Sequence, residues 1–214
     1  MITMDEERRL EALREQIKGY MSGKRLAHTL GVEREIAALA GIYAPEQMYT
    51  LRAAALLHDI TKELSREEQL KLCDESGIIY TDEEIHMPKT FHSRTAAVRI
   101  RRDFPEFAVE EILDAIRWHT TGRAGMTIGD KLLYLADYIE DTRTFEDCVE
   151  LRRQFYRGLD KAKNEDARAA HLTDILILSF DMTIRGLLED GAPIHMDTVS
   201  ARNDLVCARN RARA

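Results

Sequence analysis

Residues 53–59 of the chain read Ala53-Ala54-Ala55-Leu56-Leu57-His58-Asp59 and establish the character of the fold. A run of small and apolar residues is typical of a helix that is buried on all sides. Two polar side chains follow the run directly, and polar groups in a buried position need partners. A metal ion would satisfy both. Because neighbours on a helix point about 100° apart, this pair could offer ligands to two sides of a metal centre.

The apolar periodicity on both sides of this stretch predicts an all-α fold. Glycine and proline are scarce, at 11 and 4 residues of 214. Ser65 followed by Glu68 is a capping-box pattern that marks a helix start. The helices are predicted at about 6–21, 24–42, 45–59, 65–73, 91–104, 106–118 and 127–140, with one or two between 146 and 191 and a short one at 199–206.

We expect a single helical domain. Residues 1–20 are predicted to form an N-terminal helix that packs on the domain, residues 21–206 the domain itself, and residues 207–214 a basic, frayed tail. No apolar run of about 18 residues occurs, and the charged start does not resemble a signal peptide. These features predict a cytoplasmic protein with no membrane partner, and a homodimer is compatible with them.

The net charge and the cysteines argue against nucleic-acid binding, a disulfide framework and a structural zinc site. A net charge of −7 disfavours a nucleic-acid partner, because nucleic-acid binding needs a basic surface. A small phosphorylated ligand remains possible, since a pocket can be locally positive on an acidic protein. The three cysteines are far apart and form no CxxC pair, which argues against a disulfide framework or a structural zinc site.

Further candidate ligands lie on separate predicted helices: His28, His92, His119 and Asp137. Together with His58 and Asp59 they form a nitrogen and oxygen set that suits iron, manganese, zinc or cobalt. Two ions about 3.5–4 Å apart, bridged by an aspartate, can activate water and clamp a phosphate. Taken singly, each histidine also fits an ordinary core or surface position, so the spacing leaves both interpretations open.

Cationic and hydroxyl side chains accompany the candidate ligands. Lys62 shares a helix face with His58 and Asp59 if the helix continues that far, where it could neutralise a phosphate oxygen. If the helix ends earlier, Lys62 is an exposed lysine. The segment Thr120-Thr121-Gly122-Arg123 combines a glycine turn with hydroxyl and guanidinium donors for phosphate.

Several strings together resemble the HD-domain superfamily of metal-dependent phosphohydrolases, and within it the YqeK-type family of symmetrical bis(5′-nucleosyl)-tetraphosphatases. The more selective strings are His119-Thr120-Thr121-Gly122-Arg123 and Leu135-Ala136-Asp137-Tyr138-Ile139-Glu140. The resemblance covers about residues 20–206. It implies a helical HD-domain bundle, two metal ions with iron as the usual metal, and cleavage of diadenosine tetraphosphate into two ADP by metal-activated hydroxide.

The resemblance also implies a role for each matching residue. One ion would bind His28, His58, Asp59 and Asp137, and the other would bind Asp59, His92 and His119, so that Asp59 bridges the two and is catalytic. The residues predicted to contact substrate phosphates are Lys62, Thr120, Gly122 and Arg123. Lys62 is also predicted to be catalytic. His86 and His171 match no ligand position, and His195 lies in a family-like string without an assigned role.

Two alternatives remain beside a dinucleoside tetraphosphatase. The same ligands would serve another nucleotide phosphohydrolase, such as a guanosine tetraphosphate hydrolase or a nucleotidase, and product analysis separates these. A non-catalytic nucleotide-binding protein is the third hypothesis. The departures from the family pattern bear on substrate range: Ser93-Arg94-Thr95 follows His92 where glycines are common, and Asp141 replaces a usual proline.

Overall fold

The structure is a computed structural model that describes residues 2–213, and within that range it contains eleven α-helices and no strand. The all-α prediction is therefore confirmed. Within residues 2–213, every helix is too short or too polar to cross a membrane. The helices are α1 (Met4–Ile17), α2 (Gly23–Tyr43), α3 (Met48–Leu57), α4 (Arg66–Glu75), α5 (Asp82–Ile85), α6 (Phe91–Asp103), α7 (Glu110–Trp118), α8 (Ile128–Ile139), α9 (Glu146–Leu159), α10 (Glu165–Glu189) and α11 (Met196–Arg213).

Helix α3 is the central element of the core. Its residues 53–57 are completely buried, and the helix packs against α1, α2, α7 and α8. The three alanines have small side chains, which let these neighbouring helices approach closely on several sides. Helix α3 ends at Leu57, and His58 is its C-cap residue with helical dihedral angles. The two polar side chains of the 58–59 pair therefore lie inside the protein, at the end of a buried helix.

The other helices are fixed by local signals and by side-chain packing. The predicted capping box is present at α4, where the Glu68 backbone N–H donates to Ser65 Oγ at 3.2 Å and the Ser65 N–H donates to Glu68 Oε2 at 2.7 Å. Helix α10 packs against α9 and α11. Phe180 of α10 stacks on Tyr134 of α8 with ring centroids 4.5 Å apart, which joins the C-terminal helices to the helices around α3.

Several predicted boundaries are wrong. Helix α1 ends at Ile17 rather than near residue 21, and the short helix α5 interrupts a segment that was predicted to be irregular. Pro105 opens a 3₁₀ turn, so α7 begins at Glu110 rather than 106. The basic end is helical to Arg213 rather than frayed, since Arg209 forms an ion pair with Asp174 of α10 at 3.4 Å.

Candidate metal centre

Five segments of the fold bring the six predicted ligands together at the end of helix α3. His58 caps α3 and Asp59 follows it. The remaining four are buried or half-buried on the surrounding helices: His28 in α2, His92 at the start of α6, His119 as the C-cap residue of α7, and Asp137 in α8. All six are close enough to form one cluster.

Asp59 lies at the middle of the cluster, with its two carboxylate oxygens facing different partners. Oδ1 is 3.2 Å from Nε2 of His92 and 3.8 Å from Nε2 of His119. Oδ2 is 3.4 Å from Nε2 of His58 and 3.7 Å from Nε2 of His28. This arrangement suits a carboxylate that bridges two cations.

Asp137 faces the same imidazoles as Oδ2 of Asp59. Its Oδ1 is 3.0 Å from Nε2 of His28 and 3.8 Å from Nε2 of His58. On the other side, Nε2 of His92 and Nε2 of His119 are 2.9 Å apart. Two groups have ligand atoms close enough to share an ion: His28, His58 and Asp137, and His58, Asp59 and His119.

Outer contacts orient three of the imidazoles. His58 Nδ1 is 2.6 Å from the Ala55 carbonyl oxygen, and His119 Nδ1 is 2.6 Å from the Ile116 carbonyl oxygen. A carbonyl only accepts, so each Nδ1 carries the proton and each Nε2 presents its lone pair to the cluster. At His28 the partner of Nδ1 is a carboxylate, that of Glu140. Metal-binding histidines typically have such partners.

Glu140 is the carboxylate behind His28. Its Oε1 lies 3.0 Å from Nδ1 of His28, and the side chain is completely buried. Thr142 donates to the same carboxylate through its backbone N–H and its hydroxyl, both at 2.7 Å. Burial raises the pKa of Glu140, but these hydrogen bonds outweigh burial and the net pKa is lowered. An ionised Glu140 therefore supports His28 from outside the cluster.

The donor set fits bound metal. Within the described residues, Nε2 of His28, Nε2 of His58 and Oδ1 of Asp59 are buried and have no hydrogen-bond partner. An unsatisfied buried polar atom costs about 1–3 kcal/mol, and coordination to a cation would satisfy all three atoms. Imidazole nitrogens and carboxylate oxygens without thiolates are ligands that iron, manganese, cobalt and zinc accept.

The two carboxylates of the cluster are ionised. Burial raises the pKa of Asp59, but the surrounding imidazoles, His58 foremost, outweigh burial and leave the pKa well below its usual range. The pKa of Asp137 is also well below its usual range, because Arg143 and His28 outweigh burial. Both side chains are thus in the charged form that binds metal.

The imidazoles differ in their charge. Burial lowers the pKa of His92 to about 3, and burial also lowers the pKa of His119, so both rings are neutral. Burial acts in the same direction on His28, but the neighbouring carboxylates of Asp137 and Glu140 outweigh it and raise the pKa of His28 to about 9. His28, beside Asp137, therefore holds a proton more readily than His92 and His119 do.

Three cations border the cluster, of which sequence analysis identified one. Lys62 places Nζ 3.2 Å from Nε2 of His92 and 3.9 Å from Oδ1 of Asp59. Arg25 Nη1 is 2.6 Å from Oδ2 of Asp59. Arg143 Nη2 is 2.5 Å from Oδ1 of Asp137. Arg25 could have been found, because it precedes His28 by three residues and shares its helix face.

The remaining predicted phosphate contacts have different surroundings. Thr120 Oγ1 is 3.2 Å from Nε2 of His92 and 3.1 Å from Nε2 of His119, so it belongs to the cluster. Arg123 binds Asp130 at 2.9 Å and Asp114 at 3.3 Å, and the structure shows no contact between Arg123 and the six ligands among the described residues.

Gly122 makes the turn that the sequence predicted, with φ of +66°. A side chain at this position would meet Phe180 Cζ at 2.6 Å and Ala201 Cβ at 2.9 Å. The requirement for glycine therefore comes from the left-handed backbone and from packing. His171, which matched no ligand position, lies in α10, and its Nε2 donates a hydrogen bond to the Phe155 carbonyl oxygen at 2.8 Å.

Comparison with known proteins places the chain in a family. The HD domain family model matches residues 25–142. This chain belongs to the HD domain family. A relative of this HD protein from Halalkalibacterium halodurans, named symmetrical bis(5′-nucleosyl)-tetraphosphatase, is 32% identical over 195 residues, covering 89% of this chain and 93% of the relative. One of the same name from Bacillus subtilis is 31% identical over 192 residues, covering 89% and 94%.

A solved structure has the same fold as this HD protein. It comes from Clostridium acetobutylicum and is described as a predicted HD superfamily hydrolase involved in NAD metabolism. The TM-score is 0.78 with 32% sequence identity, and the match covers 92% of this chain and 97% of the other. The resemblance inferred from the sequence is thus confirmed at the level of the family and the fold.

Proposed function

We propose that this HD protein hydrolyses dinucleoside tetraphosphates symmetrically and splits diadenosine tetraphosphate into two ADP. The observation that carries the proposal is the position of Asp59, whose oxygens face two separate groups of imidazoles. This is the arrangement expected for two cations bridged by one carboxylate. Three curated relatives are named for the reaction, and the matches cover 89%, 89% and 82% of this chain.

The proposal assigns two metal ions to the cluster. One would be held by His28, His58, Asp59 and Asp137, and the other by Asp59, His92 and His119. Bound there, such ions supply an activated water and Lewis-acid stabilisation of phosphoryl oxygens. Iron is our first choice, with manganese, cobalt or zinc as alternatives.

The chain's own cations and hydroxyls would bind the polyphosphate. Lys62 presents its ammonium group beside Asp59 and His92, where it can donate to a phosphoryl oxygen whose charge increases in the transition state. Thr120 offers a hydroxyl next to the same imidazoles. Arg25 and Arg143 offset the buried carboxylates, which would otherwise repel an anionic substrate.

A cavity beside the cluster suits one nucleoside of the substrate. Its volume is about 300 Å³ and Thr120 is part of its wall, so the cavity adjoins the metal ligands. Met87, Leu187 and Pro193 provide apolar surface, and His195 and Asp190 provide polar groups. Ligand pockets of this size and mixed character are typical for small molecules.

The test uses protein purified without oxygen. Metal content is measured by mass spectrometry, and diadenosine tetraphosphate is hydrolysed in ¹⁸O-labelled water. We expect two ADP per substrate with the label in one of them, and Asp59→Asn should lose metal and activity together. ATP plus AMP as products would contradict symmetrical cleavage.

A substrate panel tests the alternatives. It contains guanosine tetraphosphate, deoxynucleotides and NAD, the last because of the description of the solved relative. Fully metal-loaded protein that leaves diadenosine tetraphosphate intact would refute the proposal. We further propose a cytoplasmic location, and light scattering would show whether the protein acts as a homodimer.

A further inference from the structure

A second cavity lies on the outer side of helices α6 and α7, away from the metal cluster. Its volume is about 550 Å³, and its wall contains three arginines, Arg94, Arg101 and Arg117. The apolar part of the wall includes Ile78 and Ile79, and Ile79 is 89% exposed. No carboxylate is among the lining residues in the described part of the chain. We call this cavity the arginine groove.

Helix geometry separates the arginine groove from the metal ligands. Arg94 follows His92 by two residues on α6, and Arg117 precedes His119 by two residues at the end of α7. Positions two residues apart on a helix point about 200° apart. The histidines point into the cluster, so the two arginines point to the opposite side of the same helices.

Arg117 is the unusual member of the groove. Among the described residues it has no hydrogen bond or ion pair, and its guanidinium lies 4.1 Å from the centroid of the Trp118 ring. Arg94, in contrast, is paired with Glu84. Arg117 is also half-buried. A partly buried cation without a counter-ion is costly.

We propose that the arginine groove binds the phosphate groups of a nucleotide at a site distinct from the metal centre. Guanidinium groups offer several donors in a plane and pair well with phosphate oxygens. A bound phosphate would provide the counter-ion that Arg117 lacks. Ile78 and Ile79 form an apolar wall beside the arginines against which a base can pack.

The chain contains a built-in reporter for this test, because Trp118 is its only tryptophan. ADP and pyrophosphate are titrated into full-length Asp59→Asn protein, in which the metal centre is disabled, at constant ionic strength, and Trp118 emission is followed. We expect a saturable change, with ADP binding more tightly than pyrophosphate. Calorimetry then measures the affinity of each variant independently of the fluorescence.

The variants locate the site. Arg117→Gln and Arg101→Gln should each weaken ADP binding at least about tenfold, as expected for loss of a charged hydrogen-bond donor. Arg101 is exposed, so its replacement tests the groove even if Arg117→Gln impairs folding. The matched control is Arg153→Gln on α9, where an exposed arginine pairs with Glu150, and it should bind ADP like the parent.

Four results would overturn the proposal in whole or in part. The first is unchanged ADP affinity in both Arg117→Gln and Arg101→Gln. The second is no saturable binding with a Kd below about 1 mM. The third is adenosine binding as tightly as ADP, since the phosphates would then be irrelevant. Pyrophosphate binding as tightly as ADP would overturn the assignment of a nucleotide.

Discussion

Replacing Glu140 with glutamine tests whether the carboxylate behind His28 controls metal affinity. Glu140 is completely buried, and its Oε1 is 3.0 Å from Nδ1 of His28. Glutamine has nearly the same size and can still accept a hydrogen bond, so the change removes the charge but not the packing. We expect weaker binding of the ion that His28 would hold.

The expected magnitude follows from the position of Glu140 outside the ligand set. Replacing a partner of this kind typically lowers metal affinity 10- to 100-fold, which corresponds to about 1.4–2.8 kcal/mol. Within the described residues, Glu140 contacts His28 but none of the other five ligands. The effect should therefore fall on the ion assigned to His28, His58, Asp59 and Asp137, while the ion assigned to Asp59, His92 and His119 keeps its affinity.

Gly31→Ala should lower the affinity for the same ion through a steric clash. A Cβ at residue 31 would lie 2.2 Å from Oε2 and 3.1 Å from Cδ of Glu140, so the buried carboxylate must shift away from its place behind His28. The matched control is Gly41→Ala, which is also in helix α2 and whose Cβ would find only Met48 Cε at 3.8 Å. It should bind metal like the parent protein.

The assay titrates metal-free protein with iron or manganese against a competing chelator and measures bound metal by mass spectrometry. We expect two affinities in the parent protein and in Gly41→Ala. One affinity should be reduced in Glu140→Gln and in Gly31→Ala. If both of these variants bind two ions with parental affinity, the carboxylate is not part of the metal centre and the reasoning fails.

Three further changes separate catalysis from stability. Lys62→Met should keep the metal content of the parent protein and lower kcat about 10²- to 10³-fold, which is the usual effect of removing one hydrogen-bond donor to the charge that develops in the transition state. A loss of metal in proportion to the loss of activity would contradict this prediction. Gly122→Ala should lower the free energy of unfolding, measured in urea, by about 2–4 kcal/mol, because the backbone is left-handed at this position and the added Cβ would clash with Phe180. A variant as stable as the parent protein would contradict the requirement for glycine at this position. Arg123→Met removes the guanidinium that pairs with the buried Asp130 and should lower the free energy of unfolding by about 2–3 kcal/mol. A raised KM in a variant as stable as the parent protein would instead show that Arg123 binds phosphate.

The sequence was sufficient to predict that His58 and Asp59 are buried at the end of a helix. The alanine and leucine run before His58 indicated a helix buried on all sides, and burial is what made two polar residues at its end informative. The structure shows both at 2% exposure or less. The convergence of the other four ligands could not be derived from spacing, because it depends on how α2, α6, α7 and α8 pack around α3. The family resemblance supplied that information.

The sequence could not reveal that Arg143 reaches the cluster. Arg143 lies beyond the end of α8, where the chain leaves the helix at Glu140 with ψ of 153°. No periodicity relates residues on the two sides of such a turn, so its contact with Asp137 is visible only in three dimensions. Arg123 shows the converse. The sequence indicated that its guanidinium could donate hydrogen bonds, but it did not indicate that Asp130 and Asp114 already accept them.

The charge around the cluster explains how an acidic protein can accept a tetraphosphate. Three buried or half-buried carboxylates meet three cations in and around the cluster: Asp59, Asp137 and Glu140, with Lys62, Arg25 and Arg143. The side chains alone are thus close to neutral in sum, and two divalent ions would add four positive charges at one place. Because a local potential is set by the nearest charges, the loaded centre would attract polyphosphate in spite of the net charge of −7. Metal binding would in this way create the anion site as well as the chemistry.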